Sequence, residues 1–250
     1  MSVIEALLAT LPPGRVEAVC IGAFWTAVVV ETHGTRQCGL AATHYPDARH
    51  DSDAPAVRDA GTLLERDARA LAERARSTSL MEVALGLATI NALLPKHPYA
   101  WTNVNAEEVI ARDGAGKRVV VVGHFPFVSR LRERVGTLWV LEQQPRPGDL
   151  PSHEAARVVP QADVLALSGT TLINHTFDAL MAWRRPETRV LVVGPSTPLS
   201  PVLFDVGVHF LSGAIVENIE GVMRGVSQGA TFRQLHRLGV RLVTLERMPD

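Results

Sequence analysis

Short, continuous apolar runs alternate with turn residues and helical patterns along the second half of the chain. From Lys117 onward the β-branched runs include RVVVV, TLWVL, ADVLAL, TRVLVV and VHFL. Most of these runs end at a glycine-containing turn and precede a helical pattern. Runs that are apolar throughout are typical of parallel strands covered on both faces. The pattern therefore predicts a doubly wound, mainly parallel, Rossmann-like α/β sheet.

The first hundred residues have a different pattern. The stretch VEAVCIGAFWTAVVVETHGTRQCGLAAT predicts three antiparallel strands, with a hairpin turn within ETHGTR. Two helical segments follow, GTLLERDARALAERAR and SLMEVALGLATINALL, and Pro95 ends the second. We expect a small α+β domain of βββαα order over residues 1–98, and the α/β domain over residues 99–250.

Charge and composition narrow the class of partner. The chain has 250 residues, and its 25 Lys and Arg nearly balance its 26 Asp and Glu. Such a balance gives no general attraction to nucleic acid or to an anionic membrane. The sequence contains no apolar stretch of roughly 18 residues and no signal-peptide pattern at its start. We expect a cytoplasmic protein that binds a small molecule or a metal ion, and the sequence leaves homo-oligomer formation open.

Three glycines mark the turns that follow predicted parallel strands. Gly123, Gly169 and Gly194 each close a β-branched run and precede a helical pattern. The carboxyl ends of parallel strands meet at one edge of a sheet, and ligands bind there where the strand order reverses. We therefore expect the three glycines at the ends of neighbouring strands, with their loops sharing one pocket.

Hydroxyl and amide side chains follow two of these turns. In SGTTLINHTFDAL we expect Thr170 or Thr171 to cap a helix whose first backbone N–H groups bind an anionic ligand. Asn174 would present its amide to the same ligand from about one turn inside the helix. In GPSTP, Ser196 and Thr197 supply hydroxyl groups at the next strand end. Both turns are candidate ligand-binding segments.

Two residues are candidate metal ligands. His124 directly follows Gly123, and Glu142 ends the next predicted strand. Imidazole and carboxylate groups suit divalent transition ions. Glu142 also stands about 20 residues after Gly123, the spacing of a ribose-binding acid, although GHFPFV lacks the usual glycine pattern. The crevice is thus predicted to bind a metal ion or metal chelate, or to act as an enzyme site for a nucleotide-like or phosphorylated metabolite. The sequence also leaves open a regulatory or assembly protein in which the crevice is a relic.

The remaining cysteines and histidines favour structural interpretations. Cys20 and Cys38 fall in predicted strands, where cysteine usually behaves as a small buried hydrophobe. A thiol metal site would require that the strands bring the two together. We expect His44 to form a solvated loop cluster with Asp47 and His50. His153 and Glu154 are expected at the surface, and His175 is expected to have a packing or surface role.

Several motifs resemble a known family. GHFPF, ADVLALSGTTLINHTFDAL, VVGPSTPLSPVLFDVGV and LSGAIVEN, in this order, resemble the carboxyl-terminal domain of a bacterial and archaeal family named for heavy-metal chelation. The βββαα segment resembles that family's amino-terminal domain, whose fold is similar to the amino-terminal domain of enolase. The resemblance implies a site between the two domains, drawn from GHFPF, SGTTLINHT and GPSTP. No familiar catalytic motif accompanies them.

Overall fold

The computed structural model of the protein describes residues 1–45, 55–96 and 101–247. Its strands form two sheets, one of three strands and one of seven. The strands are β1 Arg15–Ile21, β2 Trp25–Thr32, β3 Thr35–Ala42, β4 Arg118–Val122, β5 Thr137–Glu142, β6 Leu150–Pro151, β7 Val164–Ser168, β8 Arg189–Val193, β9 Phe210–Val216 and β10 Val240–Glu246. The α-helices are α1 Val3–Ala9, α2 Ala68–Ala72, α3 Leu80–Leu93, α4 Ala106–Gly114, α5 Val128–Leu131, α6 Ala155–Val158, α7 Phe177–Trp183, α8 Val202–Asp205, α9 Ile219–Ser227 and α10 Phe232–Arg237.

The first sheet is an antiparallel meander in the order β1-β2-β3, as the sequence predicts. His33 and Gly34 join β2 to β3, and both have positive φ, at 50° and 73°. A two-residue loop with this conformation matches the twist of the paired strands. The helix α3 packs against this sheet so closely that a Cβ added to Gly39 would lie 2.1 Å from the carbonyl oxygen of Ala88.

The helical part of this region differs from the expected βββαα order. The helix α1 precedes the strands, and the predicted single helix over GTLLERDARALAERAR is broken into the 3₁₀ turn Leu63–Glu65, α2 and the 3₁₀ turn Glu73–Arg76. Asp67 explains the break, because its backbone is extended and forms a β-bridge with Arg15. The side chain of Asp67 also accepts the Arg69 N–H and so begins α2 there.

The second sheet has the order β10-β9-β8-β7-β4-β5-β6. Its neighbouring strands are parallel except β10, which runs antiparallel to β9. Val119 and Val121 of β4 belong to a core with α4 and α5, whereas Val120 belongs to a core with α6 and α7. Burial on both faces explains the continuous apolar runs and confirms the doubly wound, mainly parallel sheet. The strand order reverses between β4 and β7.

The two sheets share apolar contacts. Val29 of β2 and Leu40 of β3 are buried in one cluster with Val216 of β9, Val222 of α9 and Leu235 of α10. The first sheet therefore packs against α3 and also against elements of the second half of the chain. Among the described residues, no helix has both the length and the apolar character that a bilayer crossing requires.

Candidate functional site

A pocket opens where the strand order of the second sheet reverses. Gly123, Gly169 and Gly194 follow β4, β7 and β8, which are neighbours in the sheet, and this confirms their predicted placement. The pocket has a volume of about 290 Å³. Its described lining residues are His44, Val122, Gly123, Leu141, Glu142, Gln143, Ser152, His153, Ala155, Ser168, Thr170, Thr171, Asn174, Thr176, Ala179, Leu180 and Trp183. This size and this mixture of apolar and polar groups suit a small organic ligand.

The loop after β8 does not join this pocket, so the expectation of one pocket shared by all three loops is wrong there. Ser196 and Thr197 are each 2% exposed and lie outside the described lining. The Ser196 Oγ accepts the backbone N–H of Ala42 at 2.9 Å, which ties the loop to the end of β3. A Cβ added to Gly169 would lie 2.7 Å from the Thr197 nitrogen. The GPSTP turn thus packs the two halves of the chain together.

The segment after β7 also differs from the expected helix start. Ser168, rather than Thr170 or Thr171, supplies the cap, because its Oγ accepts the Thr170 N–H at 3.3 Å. Only the 3₁₀ turn Gly169–Thr171 follows, and α7 begins at Phe177. The prediction of a helix N-terminus at Thr171 is therefore wrong, since no α-helix begins there in the part of the chain that the structure describes.

His175 accounts for the interruption. Its φ is 56°, in the left-handed region, and the N–H of Thr176 bonds to the Thr171 carbonyl at 3.0 Å. This pattern ends a helical turn. His175 is exposed and its Nε2 lies 3.0 Å from the carbonyl oxygen of Ser77, in agreement with the predicted packing or surface role. Asn174 lines the pocket, and its Oδ1 accepts hydrogen bonds from the Thr176 N–H at 3.3 Å and hydroxyl at 2.7 Å.

His124 is paired with a buried carboxylate. Its Nδ1 lies 2.7 Å from Oδ2 of Asp149, whose side chain is fully buried. The same oxygen accepts the Arg146 N–H at 3.1 Å, and Arg132 places its Nη2 3.9 Å from Oδ1. Because an ionised carboxylate only accepts hydrogen bonds, we assign the proton to Nδ1 of His124. The lone pair of a neutral His124 then lies on Nε2, where it can bind a metal or accept a proton.

Glu142 joins the ends of β4 and β5. Its Oε2 accepts the backbone N–H of His124 at 2.9 Å, and its Oε1 accepts the N–H of Gln143 at 2.7 Å. These bonds fix the carboxylate at the pocket wall. Since each carboxylate oxygen has two lone pairs, both oxygens can still bind a ligand. The two predicted metal ligands are therefore neighbours, linked through the backbone of His124, but of the two only Glu142 is among the described lining residues of the pocket.

The described residues contain no group of three or more His, Cys, Asp and Glu side chains arranged to hold a metal ion. Cys20 pairs with Ala27 and Cys38 with Val29 along β2, and both cysteines are free. Burial raises the pKa of both thiols, to about 12 for Cys38. Both cysteines thus occupy the sheet as neutral thiols, which agrees with the packing interpretation.

Two histidines from different parts of the chain reach the pocket. His44 lines it, and burial lowers the pKa of His44, which favours the neutral imidazole. Asp47 and His50, the other members of its predicted loop cluster, lie outside the described residues. His153 is a surface residue, as expected, with a side chain 78% exposed, and it also lines the pocket.

Sequence reasoning missed Asp149, Ser168 and Trp183. Asp149 stands in a Pro and Gly turn with no periodic pattern, and only the fold brings it to His124. Ser168 could have been found, because serine directly before a turn is a common cap. Trp183 ends the helical pattern after β7, where its type alone does not distinguish a pocket wall from a core residue.

The fold of this chain is thus an open, mainly parallel α/β sheet with a pocket at the reversal of strand order, the place where such sheets commonly bind ligands. Family models described as "Putative heavy-metal chelation" match residues 105–244 (DUF364) and residues 4–94 (DUF4213). The chain belongs to this family, and the resemblance drawn from its motifs is confirmed.

Known relatives agree with this placement. An uncharacterized protein of Methanocaldococcus jannaschii is 26% identical over 186 residues, which cover 72% of this chain and 70% of that protein. A crystal structure of a DUF364 protein of unknown function from Desulfitobacterium hafniense is similar with a TM-score of 0.85 at 24% identity, covering 98% of both chains. Another, from Pyrococcus horikoshii, gives a TM-score of 0.82 at 22% identity, covering 98% of this chain and 99% of that one. At these identities the two structures support the fold alone.

Proposed function

We propose that this protein binds a divalent transition-metal ion in chelated form, in the pocket at the ends of β4, β5 and β7. His124 lies outside the described lining but directly follows the lining residue Gly123, and its N–H bonds to the lining residue Glu142. From this position His124 supplies the principal protein ligand through Nε2, and Glu142 supplies a second through a carboxylate oxygen. The observation that carries the proposal is the pairing of His124 with the buried Asp149. Histidines that bind metals commonly donate their other ring N–H to a carboxylate, which orients the ring and raises its basicity.

The chelated form follows from the small number of protein ligands. No group of three donor side chains is formed by the described residues, so a bare ion would obtain few protein bonds here. The pocket volume of about 290 Å³ is far larger than an ion needs and suits a small organic molecule. A chelator that occupies the pocket would provide the remaining donors, while His124 and Glu142 complete the coordination. The family description supports a metal as the central ion.

A second candidate is an enzyme that acts on a nucleotide-like or phosphorylated metabolite. The position of Glu142 at the end of β5, next to β4, favours it, because this is where dinucleotide-binding sheets place a ribose-binding acid. The described lining has no lysine or arginine to neutralise a phosphate, which favours the chelate.

Calorimetric titration of protein purified without an affinity tag tests the proposal. The probes are Ni²⁺ alone and Ni²⁺ as its equimolar complex with 1,10-phenanthroline, which leaves open coordination positions. The wild type should bind the complex more tightly than the bare ion, and His124→Ala should weaken binding of the complex by about tenfold or more. His33→Asn is the control, because His33 is exposed in the β2–β3 turn and asparagine tolerates its positive φ. Equal binding by wild type and His124→Ala would overturn the proposal.

A further inference from the structure

The geometry points to the class of chelate: we infer that the pocket selects flat complexes of net positive charge and rejects anionic ones, including phosphorylated and polycarboxylate chelates. This inference rests on the proposed function, because it specifies what the same pocket binds. It is carried by the charges and the wall of the pocket, which are independent of the His124–Asp149 pair.

The one fixed charge of the described lining is negative. Glu142 is its one carboxylate, and neither lysine nor arginine contributes to it within the described residues. Burial favours the neutral form of His44, so this imidazole adds little positive charge at neutral pH. A cationic complex therefore meets a complementary charge, whereas an anionic complex would lose its hydration without gaining a cationic partner.

Apolar and aromatic residues form part of the described lining. Val122, Leu141, Leu180 and Trp183 contribute to it, together with Ala179 of α7. Trp183 remains 41% exposed, although tryptophan is usually well buried. An indole that borders a pocket offers a broad surface to a flat ring, and its π face attracts a positive charge. A planar heterocyclic chelate of a divalent ion satisfies both features.

The polar side chains of the pocket are partly engaged with one another. The Ser168 Oγ lies 2.8 Å from the Thr170 Oγ1, and the Asn174 Oδ1 bonds to Thr176. These neutral groups can orient a ligand through single hydrogen bonds. They offer no charge with which to hold a phosphate or several carboxylates. Net charge and shape are therefore the properties by which this pocket distinguishes ligands.

Two complexes of the same ion test how the net charge of a complex changes its affinity for the pocket, because the metal is the same in both. Ni²⁺ with 1,10-phenanthroline is a dication with a flat ligand, and Ni²⁺ with nitrilotriacetate is an anion, while both keep open coordination positions. Titrated into tag-free wild type, the phenanthroline complex should bind at least about tenfold more tightly than the nitrilotriacetate complex. Trp183→Leu should reduce this ratio by weakening the phenanthroline complex alone.

A charge variant at an exposed position provides the sharper test. Ala179 lines the pocket from the solvent side of α7, so Ala179→Lys adds a positive charge without disturbing the core. This variant should shift the affinity ratio toward the nitrilotriacetate complex by about tenfold, and Ala179→Gln, which adds similar length without charge, should not. If wild type binds the anionic complex as tightly as the cationic one, the charge inference is overturned while chelate binding stands. If neither complex binds, the proposed function itself fails.

Discussion

The buried carboxylate of Asp149 lies 2.7 Å from the Nδ1 atom of His124, 25 positions earlier in the chain. The loop between β5 and β6 turns back to place it there, beside the end of β4. A carboxylate in this position fixes the tautomer and the direction of the imidazole, and so decides which nitrogen faces a ligand.

Replacing Asp149 by asparagine should weaken binding of the Ni²⁺–phenanthroline complex by about 10–100-fold, because a neutral amide can either accept from Nδ1 or donate to it and no longer fixes the tautomer of His124. Nitrogen chemical shifts of the imidazole, measured by NMR, should show the Nδ1–H tautomer in wild type and a mixture of tautomers in Asp149→Asn. A purely structural role for Asp149 would lower stability without changing the tautomer, and that result would contradict the prediction.

Asn174→Leu should reduce the free energy of unfolding by about 1 kcal/mol, because the hydrogen bonds from the N–H and hydroxyl of Thr176 lose their acceptor. Asn174→Asp keeps an acceptor oxygen at this position and is the matched control. Urea denaturation measures both variants. Equal stability of Asn174→Leu and wild type would mean that the side chain is free to serve the ligand.

Ser196→Ala should cost about 1–3 kcal/mol of stability, since it leaves the N–H of the partly buried Ala42 without the acceptor that the buried Ser196 provides. Ser129→Ala, at an exposed position of α5, should change stability by no more than about 0.5 kcal/mol. Binding of the Ni²⁺–phenanthroline complex should be the same in both variants. If a stably folded Ser196→Ala variant loses binding, Ser196 takes part in ligand binding and the prediction is wrong.

Glu82 should make stability depend on pH in the acid range. Burial raises the pKa of its carboxyl, but hydrogen bonds from Arg58 and Ser77 and the charge of Arg74 outweigh burial and lower the pKa to about 2, from 4.5. A carboxyl with a lowered folded-state pKa contributes stability above its unfolded pKa and loses it as the pH falls through the folded value. The contribution at neutral pH should be about 3 kcal/mol.

Urea denaturation of wild type and Glu82→Gln at a series of pH values measures the contribution of the Glu82 carboxylate to stability. The difference in free energy of unfolding should be largest at neutral pH and should shrink below pH 4.5. Glu133→Gln removes an exposed carboxylate and should follow the wild-type curve. A constant difference across the acid range would show that Glu82 acts only through packing.

We propose that residues 1–98 and 99–250 are two domains that unfold as one unit, because Leu40 of the first sheet shares a core with β9, α9 and α10. Calorimetry should give a single transition with equal calorimetric and van't Hoff enthalpies. Leu40→Ala should lower its midpoint, at a cost of about 2–5 kcal/mol, whereas Leu242→Ala, at a side chain 46% exposed, should have little effect. Two separate transitions would contradict the proposal.

The elements that the sequence predicted correctly are those whose conformation is set by residues close to one another in the chain. The apolar runs that became β4, β7 and β8, the glycines after them and the turn at His33 and Gly34 all follow from local conformational preference and from burial on both faces of a strand. The motifs GHFPF and SGTTLINHT also led to the family and to the edge of the sheet at which the pocket opens.

Which side chains belong to the site could be learned only from the tertiary structure. Whether the hydroxyl of Ser196 faces a ligand or a backbone N–H depends on where β3 ends in space, and the partner of His124 depends on the path of the β5–β6 loop. His175 likewise ends the turn after β7 while it contacts Ser77, 98 positions away. Sequence therefore determined which segments form strands and at which edge of the sheet the pocket opens. Contacts between distant residues decided which side chains remain free to bind it, because a polar group buried at such a contact must satisfy its hydrogen bonds there.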